Sequence, residues 1–430
     1  MNYYSLNKQA PNTSFKDAVI KGLAPDKGLY FPESITPLPK AFFENIDNLT
    51  HSEIAFEVIK QFVVPEIPED VLKTIVEETL SFGFPIVELN ENISTLELFH
   101  GPTMAFKDVG ARFMARCLGY FNQDNTKEVT VLVATSGDTG GAVANGFLDI
   151  KGVNVVILYP SGKVSDVQEK QLTTLKKNIT ALEVDGVFDD CQDMVKRAFL
   201  DEDLTSKMQL TSANSINVAR WLPQMFYFFF AFKQLHKTHE KIVFSVPSGN
   251  FGNICAGMMA KQLGLPIHDF IASTNANNVV TQYLETKLFE PKPSIQTISN
   301  AMDVGNPSNF IRIQEIYKND FKVLKNNLTS FSFTDYQTRE ALKELYGEFN
   351  YVADPHGAVG YLGCKEYLKT NPDVHCVFLE TAHPTKFLDV VEDVINKKQP
   401  LPPQIQAVIG KEKVSVMIST YADLKTFLLK

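Results

Sequence analysis

Glu128-Val129-Thr130-Val131-Leu132-Val133-Ala134-Thr135-Ser136-Gly137-Asp138-Thr139-Gly140-Gly141 is the stretch whose reading decides the fold. Its first half is an apolar, β-branched run of strand length. Its second half is a glycine-rich turn, and residues 142–149 then suit a helix. The same pattern continues with a strand over 153–159, a helix over 165–175 capped by Ser165, a strand over 179–184 and a helix over 188–199. A second series opens with a long helix over 216–235. It runs through a strand at 241–246, a Gly loop, a helix at 254–263, a strand at 267–273 and a helix at 279–286. A helix over 334–349, a short segment at 351–353, a turn at 354–357 and a strand over 374–379 follow. Strands that are apolar throughout, alternating with helices, predict parallel sheets covered on both faces. Two such α/β units predict a ligand cleft between them.

Residues 1 to about 90 lack this alternation. Pro32, Pro37 and Pro39 precede two expected helices near 51–63 and 68–81. The expected organisation is a largely helical N-terminal extension over 1–90, a smaller α/β domain over 91–215 and a larger one over 216–430. Pro400-Leu401-Pro402-Pro403 marks a linker to the last segment.

Composition narrows the function classes. With 44% hydrophobic and 21% charged residues, the 430-residue chain reads as an ordinary soluble protein with a sizeable core. A net charge of −9 without a basic tract argues against a nucleic-acid or anionic-membrane surface. Five scattered cysteines with no C-x-x-C pair fit reduced thiols in a cytoplasm. No histidine pair has zinc spacing, so no metal site is expected. The N-terminus lacks an apolar signal core. The phenylalanine-rich run over 225–232 is far shorter than a membrane span and reads as a buried helix face.

Several constellations carry chemistry. In Ser248-Gly249-Asn250-Phe251-Gly252-Asn253, between a strand and a helix, the glycines permit close backbone approach. The helix start offers N–H groups to a phosphate. No lysine follows as in a nucleotide P-loop, and the spacing misses the dinucleotide pattern. A plain tight turn is the alternative. Ser136, Asp138 and Thr139 form a similar turn suited to a carboxylate, provided Asp138 points away; an Asp N-cap is the alternative. Lys107 lies in His100-Gly101-Pro102-Thr103-Met104-Ala105-Phe106-Lys107-Asp108, where apolar neighbours favour a neutral, nucleophilic amine. An Asp108–Arg112 surface pair is the bland reading there. Asn214, Ser215 and Arg220 open the long helix and suit a second phosphate, or an ordinary cap with a surface arginine. Thr381, at the end of a buried strand, suits a ring nitrogen, while His383 before Pro384 reads as a structural turn residue. One lysine amine plus a phosphate cradle points to pyridoxal 5′-phosphate, an aldehyde cofactor that a lysine holds as a Schiff base.

Taken together and in this order, these segments resemble the threonine synthase family of fold-type-II pyridoxal-phosphate enzymes. The Gly28-Leu29-Tyr30-Phe31-Pro32 block adds a resemblance to its branch with a long N-terminal extension, found in bacteria and fungi. The resemblance covers nearly the whole chain. It implies a cytoplasmic monomer or homodimer with two open α/β domains around a cofactor cleft. It also implies conversion of O-phospho-L-homoserine and water to L-threonine and phosphate by γ-elimination and β-addition of water. Lys107 would hold the cofactor and shuttle protons. Ser248, Gly249, Asn250, Phe251 and Gly252 would bind the cofactor phosphate, and Thr381 would face the ring nitrogen. Ser136, Asp138 and Thr139 would meet the substrate carboxylate or the cofactor's hydroxyl side. Asn214, Ser215 and Arg220, with Thr103, would grip the substrate phosphate. The rival readings are a serine or threonine dehydratase of the same fold type and a non-catalytic phosphate-binding paralogue.

Overall fold

A computed structural model describes residues 1–123 and 128–430. Its strands that are buried on both faces assemble into two mainly parallel sheets. In the first, the order is Val416–Ile418, Ile179–Val184, Val153–Pro160, Val129–Ala134 and Gln209–Ser212, all parallel. In the second, Thr329–Ser332, Asp269–Thr274, Ile242–Pro247, His375–Glu380 and Ile93–Glu97 run parallel, and Ile86–Glu88 closes the edge antiparallel. Every residue of Val129–Ala134, Ile242–Pro247 and His375–Glu380 is buried, as helices on both sheet faces require. Chain order and sheet membership part company at both ends. Residues 93–97 lie in the six-stranded sheet, and residues 416–418 extend the five-stranded one.

The N-terminal extension holds the two expected helices, His51–Val63 and Glu69–Thr79. It also carries a small antiparallel sheet of Thr13–Ser14, Asn2–Ser5 and Tyr30–Pro32.

Three local differences from the sequence reading have physical causes. The helix expected from 142 starts at Asp138, because Thr135 Oγ1 accepts the N–H groups of Gly137 and Gly140, each at 2.9 Å, and folds the turn back. The single helix expected over 216–235 is three pieces, Val218–Trp221, the tighter turn Leu222–Met225 and Phe226–Leu235. Pro223 has no N–H to continue the first. The turn at 354–357 is the start of a full helix, Pro355–Leu368, capped by the Asp354 carboxylate. Beyond the expected linker, helix Pro403–Ile409, strand Val416–Ile418 and helix Tyr421–Leu428 follow.

Phe226–Leu235 sits at the centre of the core. Phe228 packs against Phe244 and Phe270, Phe229 against Phe42, and Phe230 against Phe84. A helix apolar all round must be enclosed, and this one joins the six-stranded sheet to the N-terminal extension. Each such ring contributes about 1.5–3 kcal/mol of burial. Among the described residues no helix is long and apolar enough to cross a membrane.

Candidate active site

Loops at the C-terminal ends of three strands converge, where open α/β sheets bind ligands. Lys107 is the first residue of helix Lys107–Phe121. Its segment is stitched to the Thr381 turn: Phe106 N–H donates to the Thr381 carbonyl at 2.9 Å, and His383 N–H to the Met104 carbonyl at 3.1 Å. Ala105 and Ala382 form an isolated antiparallel bridge. Tyr227 clamps the Phe106 carbonyl from the core helix. Burial pushes the Lys107 amine below its usual range. Asp138 opposes that shift, while Lys386 and Arg220 reinforce it. An amine so placed is biased toward the neutral form a nucleophile or base needs.

Asp108 does not pair with Arg112. It is buried and accepts both the hydroxyl and the N–H of Thr103. Arg112 instead donates to the Glu78 and Thr79 carbonyls. Thr103 therefore anchors the lysine loop, with its hydroxyl proton donated to Asp108.

The Ser248 loop has the form of an anion cradle. Phe251 adopts a left-handed conformation at φ 60°, and helix Gly252–Gln262 begins immediately after. Ser248 N–H is used by the Ser273 carbonyl. Among the described residues, the N–H groups of Gly249, Asn250, Phe251, Gly252 and Asn253 have no protein acceptor. Gly249 packs on backbone, since a β-carbon there would lie 2.7 Å from Met302 Cα. Asn250 braces the loop: its Oδ1 accepts from Ser308 N–H at 2.7 Å, and its Nδ2 donates to Ser215 Oγ at 3.0 Å. Successive free N–H groups at a helix start fit a phosphate dianion, so these residues fit the pyridoxal phosphate tail.

Ser215, which Asn250 reaches, leads into the turn that carries a buried arginine. Arg220 is 3% exposed, and its Nε and Nη1 have no partner. It forms no ion pair among the described residues, and burial lowers its pKa to about 10. Its helical turn is capped by Asn217, not by Asn214 or Ser215. The half-buried Asn214 directs its amide to the Ala134 carbonyl at 3.4 Å. Ser215 Oγ accepts from Asn250 and Asn309, which leaves its own O–H to donate.

Ser136 and Thr139 are half-buried, with hydroxyls that have no partner among the described residues. Asp138 makes its contacts within the protein. It is buried and bonded to Lys386 Nζ at 2.7 Å and Gln168 Nε2 at 2.9 Å, which hold its carboxyl well below the usual range. Thr381 is buried, and no partner of its hydroxyl is present among the described residues. Behind it Glu380 is fully buried and accepts the Asp354 N–H at 2.6 Å; burial beside Asp354 pushes its carboxyl far above the usual range. His383 caps the turn Pro384–Phe387, and burial lowers it to about 4, so it stays neutral.

Sequence reading missed Lys386 and Arg312. Arg312 is fully buried over Trp221 and donates to the carbonyls of Ser215, Ile216 and Tyr30 and to Asn309 Oδ1. It ties the N-terminal extension to Ser215 and, through Asn309, to the Ser248 loop.

Residues 2–80 match the threonine synthase N-terminus family, 87–381 the pyridoxal-phosphate dependent enzyme family and 357–427 the threonine synthase C-terminal family. The chain belongs to the threonine synthase family. It is 43% identical over 439 residues to threonine synthase of Buchnera aphidicola from Acyrthosiphon pisum, covering 100% of both chains. The crystal structure of Escherichia coli threonine synthase superposes with a TM-score of 0.93 at 40% identity, covering 100% of this chain and 99% of that one. Pyridoxal-phosphate-bound threonine synthase from Brucella melitensis gives 0.93 at 32% identity, with 100% and 98% covered. The cofactor of this threonine synthase family member is pyridoxal phosphate, and its fold is the fold-type-II architecture.

Proposed function

We propose that the substrate is O-phospho-L-homoserine, converted with water into L-threonine and inorganic phosphate, with Lys107 as the cofactor lysine. Arg220 carries this reading: a buried guanidinium with two unpartnered nitrogens and no ion pair among the described residues is costly unless an anion arrives. A dehydratase acting on unphosphorylated serine or threonine has no use for such a site.

The cofactor supplies an electron sink for the pair left at substrate Cα. The N–H groups of Gly249 to Gly252 would hold its phosphate beside Ser248, and the Thr381 hydroxyl would serve its ring nitrogen. Ser136 and Thr139 donate to the substrate carboxylate. Arg220, Ser215 and Asn214 bind the substrate phosphate, fixing Cα near Lys107. The neutral Lys107 amine takes the Cα proton and carries protons at Cβ and Cγ as phosphate leaves Cγ and water adds at Cβ. The five free, buried cysteines suit a cytoplasmic enzyme.

Replacing Arg220 by Ala is the test. The KM for O-phospho-L-homoserine should rise strongly, and an unchanged kcat/KM would remove Arg220 from this role.

A further inference from the structure

Lys386 lies in the turn Pro384–Phe387, just after Thr381. Its side chain is 0% exposed. Nζ sits 2.7 Å from Asp138 Oδ1 and donates to the Thr103 carbonyl at 2.9 Å. These partners belong to different parts of the fold. Asp138 opens helix Asp138–Phe147 behind the five-stranded sheet, whereas Lys386 follows the central strand His375–Glu380 of the six-stranded sheet. Thr103 belongs to the loop that delivers Lys107. Gln168 Nε2 also donates to Asp138 Oδ1 at 2.9 Å, and Gln171 Nε2 to the Thr103 carbonyl at 3.1 Å. One ammonium group therefore joins both sheets and the lysine loop.

We propose that Lys386 is a positioning residue for the reaction, forming with Asp138 a buried clamp across the two sheets that fixes the electrostatic surroundings of Lys107. The inference rests on Lys107 being the cofactor lysine. The charged groups around Lys107 are Asp138, Lys386 and Arg220. Asp138 favours the protonated amine, and the two cations disfavour it. Paired with Asp138, Lys386 opposes its effect on Lys107. Without Lys386 the Asp138 carboxylate faces Lys107 uncompensated and holds a proton on it, which opposes the neutral base the reaction needs. Loss of Lys386 also frees the Thr103 carbonyl, so the clamp governs position as well as charge.

The test is a pH titration of the visible cofactor band in the holoenzyme, comparing wild type, Lys386→Met and the double variant Lys386→Met/Asp138→Asn. Lys386→Met should raise the titration midpoint by about one pH unit or more. The double variant, neutral as a pair, should fold even if the single does not, with its midpoint within about half a unit of wild type. A single variant that titrates like wild type, or a double variant displaced by more than about a unit, overturns the assignment. Borohydride reduction and peptide mapping of the wild type separate the two readings. If the label is absent from Lys107, the cofactor-lysine reading fails; if it is present and the midpoints do not behave as stated, only the clamp fails.

Discussion

On the proposed function, Arg220 is the residue at which stability and function oppose each other. A buried cation without a counter-charge destabilises the ligand-free fold, and apolar replacement of buried charges is often neutral or stabilising by about 1–4 kcal/mol. Arg220→Met is therefore expected to raise the melting temperature of ligand-free protein while lowering kcat/KM for the phosphorylated substrate by about 10²–10³-fold. Inorganic phosphate should stabilise wild type against heat but not the variant. A variant that melts lower than wild type, or that phosphate protects equally, would contradict the second anion site. At this scale the chemistry was legible where a residue type announces it: a lysine among apolar neighbours, glycines at a strand–helix turn, an arginine near a helix start. Illegible were commitments made by distant partners. Thr103 and Asp138 read as ligand contacts, and the structure pairs them with Asp108 and Lys386. Arg312 reaches Ser215 across 97 residues of sequence, and nothing local marks it.

Helix Pro355–Leu368 shows the same limit for an element. The sequence reading places only a turn at 354–357, yet Gly357, Gly360 and Gly363 lie within one helix. Spaced by three, they instead form one smooth face. A β-carbon at Gly357 would lie 1.6 Å from Glu380 Oε2, and one at Gly363 1.9 Å from Ser273 Oγ and 2.7 Å from Ser245 Oγ. The glycines let the helix lie directly on the sheet that carries Thr381. Gly363→Ala should destabilise the protein by about 1–3 kcal/mol through overpacking and loss of the Ser245–Ser273 hydrogen bond. An unchanged urea midpoint would show that this contact is loose.

Strand His375–Glu380 carries a pH dependence. His375 is 4% exposed, hydrogen-bonded to Ser94 Oγ at 2.8 Å and stacked on His239 with ring centroids 3.6 Å apart. Burial, helped by His239, lowers it to about 4. An unfolded histidine takes its proton near pH 6.5. Between those values the unfolded chain binds more protons, so stability is lost as pH falls from about 6.5 to about 4. The share of His375 is at most about 3 kcal/mol. Urea midpoints should fall over this window, and His375→Gln should flatten the decline. An identical slope in the variant would exclude His375 as its source.

Over the whole molecule, turns that follow strands of the two sheets meet through the Asp138–Lys386 and Ser215–Asn250 contacts, and Arg312 ties Tyr30 of the N-terminal extension to Ser215. The alternation after residue 128 foretold the parallel sheets, and strand Ile179–Val184 falls where its apolar pattern places it. Sheet membership at the chain ends was hidden. Val416–Ile418 is three residues long, too short for a readable period, and it pairs with a strand more than half the chain away. Ile86–Glu88 and Ile93–Glu97 form a hairpin at the edge of a parallel sheet, and long-range pairing alone puts them there. The most direct measurement for the whole account follows phosphate and threonine together from O-phospho-L-homoserine in wild type and Lys107→Ala. Equal amounts of the two products from wild type, and a loss of at least about 10³-fold in the variant, are predicted. Phosphate without threonine, or a Lys107→Ala protein that turns over normally, would contradict it.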